Sequence, residues 1–149
     1  MGDTISQSAL ERFEVREVLD AYTANVNLRE FAAAGALFVP DGVWEVRGVA
    51  DTPRRIQGSL AIGDAIARAV GAFARLVQMN HAPLIRVNGD RATASSTIHE
   101  MGKAKDGSDI FLLGRYTDDI VRVDGAWRFQ TRQFDALYLD RSPLAGSML

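Results

Sequence analysis

The prevailing spacing of apolar positions changes along this chain near Leu76. Before that point it is mostly helical, with one short alternating run. Leu10, Phe13, Val18, Leu19, Tyr22 and Val26 recur at helical intervals and predict an amphipathic helix to about residue 26. Ser8-Ala-Leu-Glu11 reads as its capping box, with Ser8 as N-cap. Asn27-Leu-Arg-Glu30 repeats the start signal, and Phe31, Ala34, Leu37 and Phe38 form a short second helix that Pro40-Asp41-Gly42 stops. Val43-Trp-Glu-Val-Arg47 alternates like a strand, and residues 48–58 read as an irregular connection able to cover a pocket. Ser59 is the expected N-cap of a third helix, with Leu60, Ile62, Ile66, Val70 and Phe73 on one face.

From Leu76 onward the period is two. Asn88-Gly89-Asp90, Lys105-Asp106-Gly107-Ser108 and Asp124-Gly125 are turn signals between apolar runs. They divide the remainder into four extended runs of about 10–14 residues, long enough to demand a twisted, curved sheet. Three helices, an early strand and a four-stranded meander predict an α+β fold in a single domain, residues 1–149.

Composition narrows the function. The 149 residues are 47% hydrophobic and 24% charged, with a net charge of −2, so no basic footprint for nucleic acid exists. Arg54-Arg55 and Lys103-Ala-Lys105 read as solvated surface. The chain lacks cysteine, which removes disulfides and thiolate chemistry. Its start has no signal-peptide pattern, and the most apolar stretch, Ala61 to Leu76, is interrupted by Asp64, Arg68 and Arg75. A soluble, cytoplasmic protein without membrane partners is expected. Gly42, Gly48, Gly58 and Gly63 are scattered and form no phosphate-binding loop, so no nucleotide cofactor is expected. The carboxylates of Asp118-Asp119 and Asp106-Gly-Ser-Asp109 lack metal-ligand spacing, and no metal is expected.

His81, one of two histidines, lies in the extended segment Leu76 to Asn88. On a strand facing an apolar cavity, an imidazole with an ordinary pKa of about 6.5 suits proton transfer. The plainer reading is a hydrogen-bonded core histidine.

Four pieces in order carry a resemblance: Tyr22 to Phe38 running into Asp41-Gly-Val-Trp44-Glu-Val-Arg-Gly48; His81 followed by Gly89-Asp-Arg-Ala-Thr-Ala94; Gly114-Arg-Tyr-Thr117 leading to Asp124-Gly-Ala-Trp-Arg-Phe129; and Arg132 with the tail Ser142-Pro-Leu-Ala-Gly146. The chain resembles the SnoaL-like branch of the nuclear transport factor two-like superfamily, which contains scytalone dehydratase, bile-acid dehydratase and hexachlorocyclohexane dehydrochlorinase. The resemblance implies a cone-shaped barrel, a strongly curved mixed or antiparallel sheet wrapped around three N-terminal helices.

In the eliminating relatives a histidine base pairs with an aspartate on the first helical hairpin. The resemblance places the histidine at His81, the aspartate position at Asn27, an assisting tyrosine at Tyr22 and an arginine at Arg132. Trp44, Met79, His99, Tyr116 and Phe134 are the expected substrate contacts. Asparagine can orient an imidazole but supplies no charge to support its protonated form. Each residue has a structural rival: helix capping for Asn27, core packing for Tyr22 and Trp44, and an ion pair with Asp135 or Glu45 for Arg132.

The resulting expectation is a cofactor-independent lyase acting on a small aromatic or alicyclic hydroxylated molecule, by dehydratase-like elimination or C–C cleavage. The alternatives are an isomerase or cyclase of the same fold and a non-catalytic small-molecule-binding domain. The resemblance implies that the apolar tail Pro143 to Leu149 packs across a subunit boundary, so a homodimer or homotrimer is expected.

Overall fold

A computed structural model describes the chain from Gly2 to Leu149, with side chains from Gln7 onward. Helix α1 spans Gly2–Asn27 and already includes Ser8, so the capping box does not cap. Its members serve the exposed face instead: Arg12 Nη1 donates to Ser8 Oγ at 2.8 Å, and Gln7 Nε2 to Glu11 at 3.5 Å. Both bonds join residues four apart, a geometry the same motif satisfies inside a helix. The buried stripe is Val15, Leu19, Tyr22 and Val26, while Leu10 and Phe13 are exposed.

Arg29, at φ 61°, turns the chain into α2, Phe31–Ala36. Helix α3, Ser59–Gly71, crosses it closely. A Cβ on Gly35 would stand 2.5 Å from the Ser59 carbonyl oxygen and 2.9 Å from Gly63 Cα, so only glycine permits this approach. Gly58 caps α3, not Ser59, and Leu60 points outward at 85% exposure.

The six strands are β1 Phe38–Arg47, β2 Arg54–Gln57, β3 Phe73–Asn88, β4 Arg91–Ala104, β5 Asp109–Val123 and β6 Ala126–Asp140. They form one sheet in the order β2-β1-β6-β5-β4-β3. All neighbours are antiparallel except β1 and β6. All three predicted turns join consecutive strands of this meander. Pro40-Asp41-Gly42 does not precede the early strand but lies within it. Between Phe38 and Val43 the register shifts against β6, which lets the chain carry a proline that cannot donate to the ladder. The connection 48–58 contains β2, paired with β1.

The sheet is curled without closing, and α1, α2 and α3 pack into its concave side. Val15, Leu19, Ile62, Ile66, Ile98, Ile120 and Phe129 form the buried centre. None of the described helices is long and apolar enough to cross a membrane.

One irregularity in β3 decides which residues reach the interior. His81 pairs with Thr97 and Leu84 with Ser95, so β3 carries one extra residue, at Ala82 with φ 32°. Before this bulge the even positions, Leu76, Gln78 and Asn80, turn away from solvent. After it the odd positions Ile85 and Val87 do so. A one-residue bulge exchanges the two faces of a strand.

Candidate active site

The concave face of the sheet and the inner sides of α1 and α3 enclose a cavity of about 250 Å³. Its wall is largely apolar: Val26 from α1, Ile66 and Val70 from α3, and Leu112 from the sheet. Val49, Ala50 and Thr52 of the connection also line it, so that segment does cover the pocket. Gly114 makes room for Phe134, whose ring occupies the space a Cβ would need.

The polar groups are few and convergent. Gln78 and Glu100 are register partners on β3 and β4, and both line the cavity. Gln78 Nε2 donates to Glu100 Oε1 at 2.5 Å, and Gln78 Oε1 is buried without a donor among the described residues. Burial raises the Glu100 pKa above the ordinary carboxylate value, against the lowering effect of the Gln78 hydrogen bond. Tyr22 and Tyr116 lie edge to face at 5.9 Å. Burial holds both phenols above their ordinary pKa, and the charge of Glu100 pushes each in the same direction.

Beneath these phenols lies Arg132, fully removed from solvent. Its Cζ sits 3.6 Å from the ring centroid of Tyr116, 4.3 Å from Tyr22 and 4.6 Å from Phe129. Nη1 donates to Asp118 Oδ2 at 3.1 Å. Asp118 stands opposite Arg132 in the ladder, so Arg132 pairs with neither Asp135 nor Glu45. Burial raises Asp118 to about 7 despite the adjacent guanidinium. The aromatic faces share the stabilisation of the arginine charge.

Four of the expected residues, Tyr22, Trp44, Tyr116 and Phe134, meet around the cavity. Arg132 supports the two phenols from behind. Asn27 sits at the end of α1 and uses its whole amide on β3: Nδ2 donates to the Gln78 carbonyl and Oδ1 accepts from the Gln78 N–H, both at 2.8 Å.

The expectation that His81 faces the cavity is corrected. Its side chain is exposed, on the same outer face as Met79, because the parity change comes just after it. The His81 ring stacks on His99 at 6.4 Å, and His99 in turn lies 4.6 Å from Phe111. His81, His99 and Met79 are therefore outside the pocket, and the residue held beside Asn27 is Gln78. Sequence reasoning missed Gln78, Glu100 and Asp118. Glu100 carried a signal, since Ala92, Ala94, Ser96 and Ile98 alternate directly into it and place a carboxyl on the buried face.

No group of three or more His, Cys, Asp or Glu residues among the described ones is placed to hold a metal ion. The chemistry available to the site is proton transfer by a desolvated carboxyl, supported by two phenols inside an apolar enclosure.

Comparison with known proteins agrees with this architecture. An uncharacterised Mycobacterium tuberculosis protein, Rv2910c, is 28% identical over 126 residues, which is 82% of each chain. The solved structure of hexachlorocyclohexane dehydrochlorinase LinA-type3 from Novosphingobium barchaimii superposes with a TM-score of 0.80 at 18% identity, covering 95% of this chain and 94% of that one. A candidate scytalone dehydratase from Novosphingobium aromaticivorans gives a TM-score of 0.78 at 23% identity, with 99% and 95% covered. These structural likenesses are statements about fold. The SnoaL-like domain model matches residues 7–133, and the chain belongs to the SnoaL-like family within the nuclear transport factor two-like fold.

Proposed function

We propose that the cavity takes a small, mainly apolar aromatic or alicyclic molecule and promotes a proton-transfer reaction, a lyase-type elimination or an isomerisation. Glu100 acts as the acid–base group. The observation that carries this reading is the Gln78–Glu100 pair: a carboxyl desolvated within the cavity wall, with a raised pKa and a neutral amide as its partner. A carboxyl tuned upward approaches the pKa at which general acid–base catalysis is most effective. Tyr22 and Tyr116, backed by Arg132, stand where an oxyanion developing on the substrate can be stabilised. Trp44 and Phe134 supply flat walls for a ring. This assignment replaces His81 as the base.

The test is exchange into deuterium oxide. Hydroxylated aromatic and alicyclic compounds are screened for thermal stabilisation, and hits are followed by NMR for C–H wash-out and product. Glu100→Gln is expected to slow exchange by about 10²–10⁴-fold while leaving binding largely intact, as for loss of a positioned acid–base group. Exchange unaffected by Glu100→Gln eliminates this assignment.

One observation favours a second reading. The resemblance implies an aspartate paired with a histidine base, whereas here Asn27 is spent on the backbone of Gln78 and no histidine among the described residues lines the cavity. That departure supports a site that binds the same molecules without turning them over. Hits that bind in wild type without exchange or product support it.

A further inference from the structure

The polar lining of the cavity is of two kinds. Glu100 and the phenols form one. The other is contributed by Arg54 and Arg141, which also line the cavity, together with Thr52. Arg54 is opposite Val46 in the β1–β2 ladder, and Ile56 is opposite Trp44. Since Val46 and Trp44 line the cavity, β2 presents Arg54 on the same side. Arg141 follows directly on the end of β6. Both arginines are exposed, so they mark the mouth.

Neither arginine has an ion pair or side-chain hydrogen bond among the described residues, although Arg16, Arg47, Arg122 and Arg132 all have carboxylate partners. Neither figures among the influences on Glu100, whose pKa is set by burial and Gln78. The cavity thus carries two guanidinium groups without a carboxylate partner among the described residues.

Resting on the proton-transfer reading of the same site, we propose that its substrate class is amphiphilic and anionic. An apolar ring fills the chamber, and a carboxylate or phosphate ester is held at its mouth by the guanidinium groups of Arg54 and Arg141. Guanidinium groups suit both anions, since each offers paired N–H donors to two oxygens.

Calorimetric titration with cinnamate, phenyl phosphate and uncharged cinnamamide tests this on the full chain. Cinnamate or phenyl phosphate is expected to bind at least about tenfold more tightly than cinnamamide, and the tighter of the two identifies the anion. Arg54→Gln and Arg141→Gln should each weaken the preferred anion by about tenfold, leave cinnamamide unchanged and retain the wild-type Tm. Cinnamamide bound as tightly as both anions, or no binding of any of the three at millimolar concentration, overturns the inference. The deuterium-exchange result for Glu100→Gln is independent. Exchange of neutral hits that depends on Glu100, without anion preference, would sink the anionic class alone; anion preference without exchange would sink the proton-transfer reading alone.

Discussion

Arg132 is the largest side chain that folding removes completely from solvent. Burying a guanidinium is costly unless its charge is met, and here three aromatic rings and Asp118 share that task. Nε and Nη2 have no acceptor among the described residues, and Asp118 Oδ1 has no donor. Desolvation therefore prevails over the ion pair and raises Asp118 from its ordinary 3.8 to about 7. In that interval the folded protein binds more protons than the unfolded chain. The contribution of Asp118 is thus fully present below 3.8 and is lost as pH rises through about 7. Asp118→Asn keeps an acceptor for Arg132 but cannot titrate. The Tm of wild type minus that of Asp118→Asn is expected to fall steadily as pH rises across the window. A difference that grows with pH would show that Arg132 prevails and holds the carboxyl low.

At the scale of elements, most of the architecture was legible because period and punctuation agree along the chain. The three Asx-Gly and Asp-Gly turns delimit four strands of 14 to 16 residues, slightly longer than the runs expected. The site was less legible because it depends on a bulge at Ala82, where the local residues Asn80-His-Ala-Pro83 give no Gly or Asx-Gly signal. Moving that bulge a few residues towards Phe73 would turn His81 inward, and nothing in the alternation of β3 selects its position. The clamp between α1 and β3 was hidden for a related reason. Asn27-x-x-Glu30 matches a helix start, yet Asn27 is the last residue of α1 and bonds the backbone of a residue 51 positions away. Asn27→Ala removes two hydrogen bonds at once and is expected to cost about 1–3 kcal/mol in denaturant unfolding. Asn27→Asp keeps the acceptor for the Gln78 N–H but sets a carboxylate against the Gln78 carbonyl, so it should also destabilise. An Asn27→Asp variant as stable as wild type would mean that the clamp contributes nothing.

At the scale of the whole molecule, the outer face of the sheet gives the displaced histidine a different context. Val77 and Met79 on β3, Met101 and His99 on β4, and Phe111 and Leu113 on β5 follow one another across the ladder. Tyr138 on β6 continues the row opposite Leu113. The rings of His81, His99, Phe111 and Tyr138 run successively along this face, with neighbouring centroids 4.6 to 6.4 Å apart. Val77 is 45% exposed, Met79 39% and Tyr138 51%. A contiguous apolar surface spanning four strands is suited to self-association, which is the expectation tested below. The tail borders the same sheet, where the Leu144 N–H donates to Asp109 and Arg75 donates to the Leu149 carbonyl. Light scattering at micromolar concentration is expected to give a dimer or trimer, with the outer face and tail covered. Met79→Glu places a charge in the centre of that row and should shift the protein towards monomer. The ligand response of the cavity on the opposite face should persist. Wild type that scatters as a monomer, or Met79→Glu that leaves the oligomer unchanged, would rule out this face as the contact.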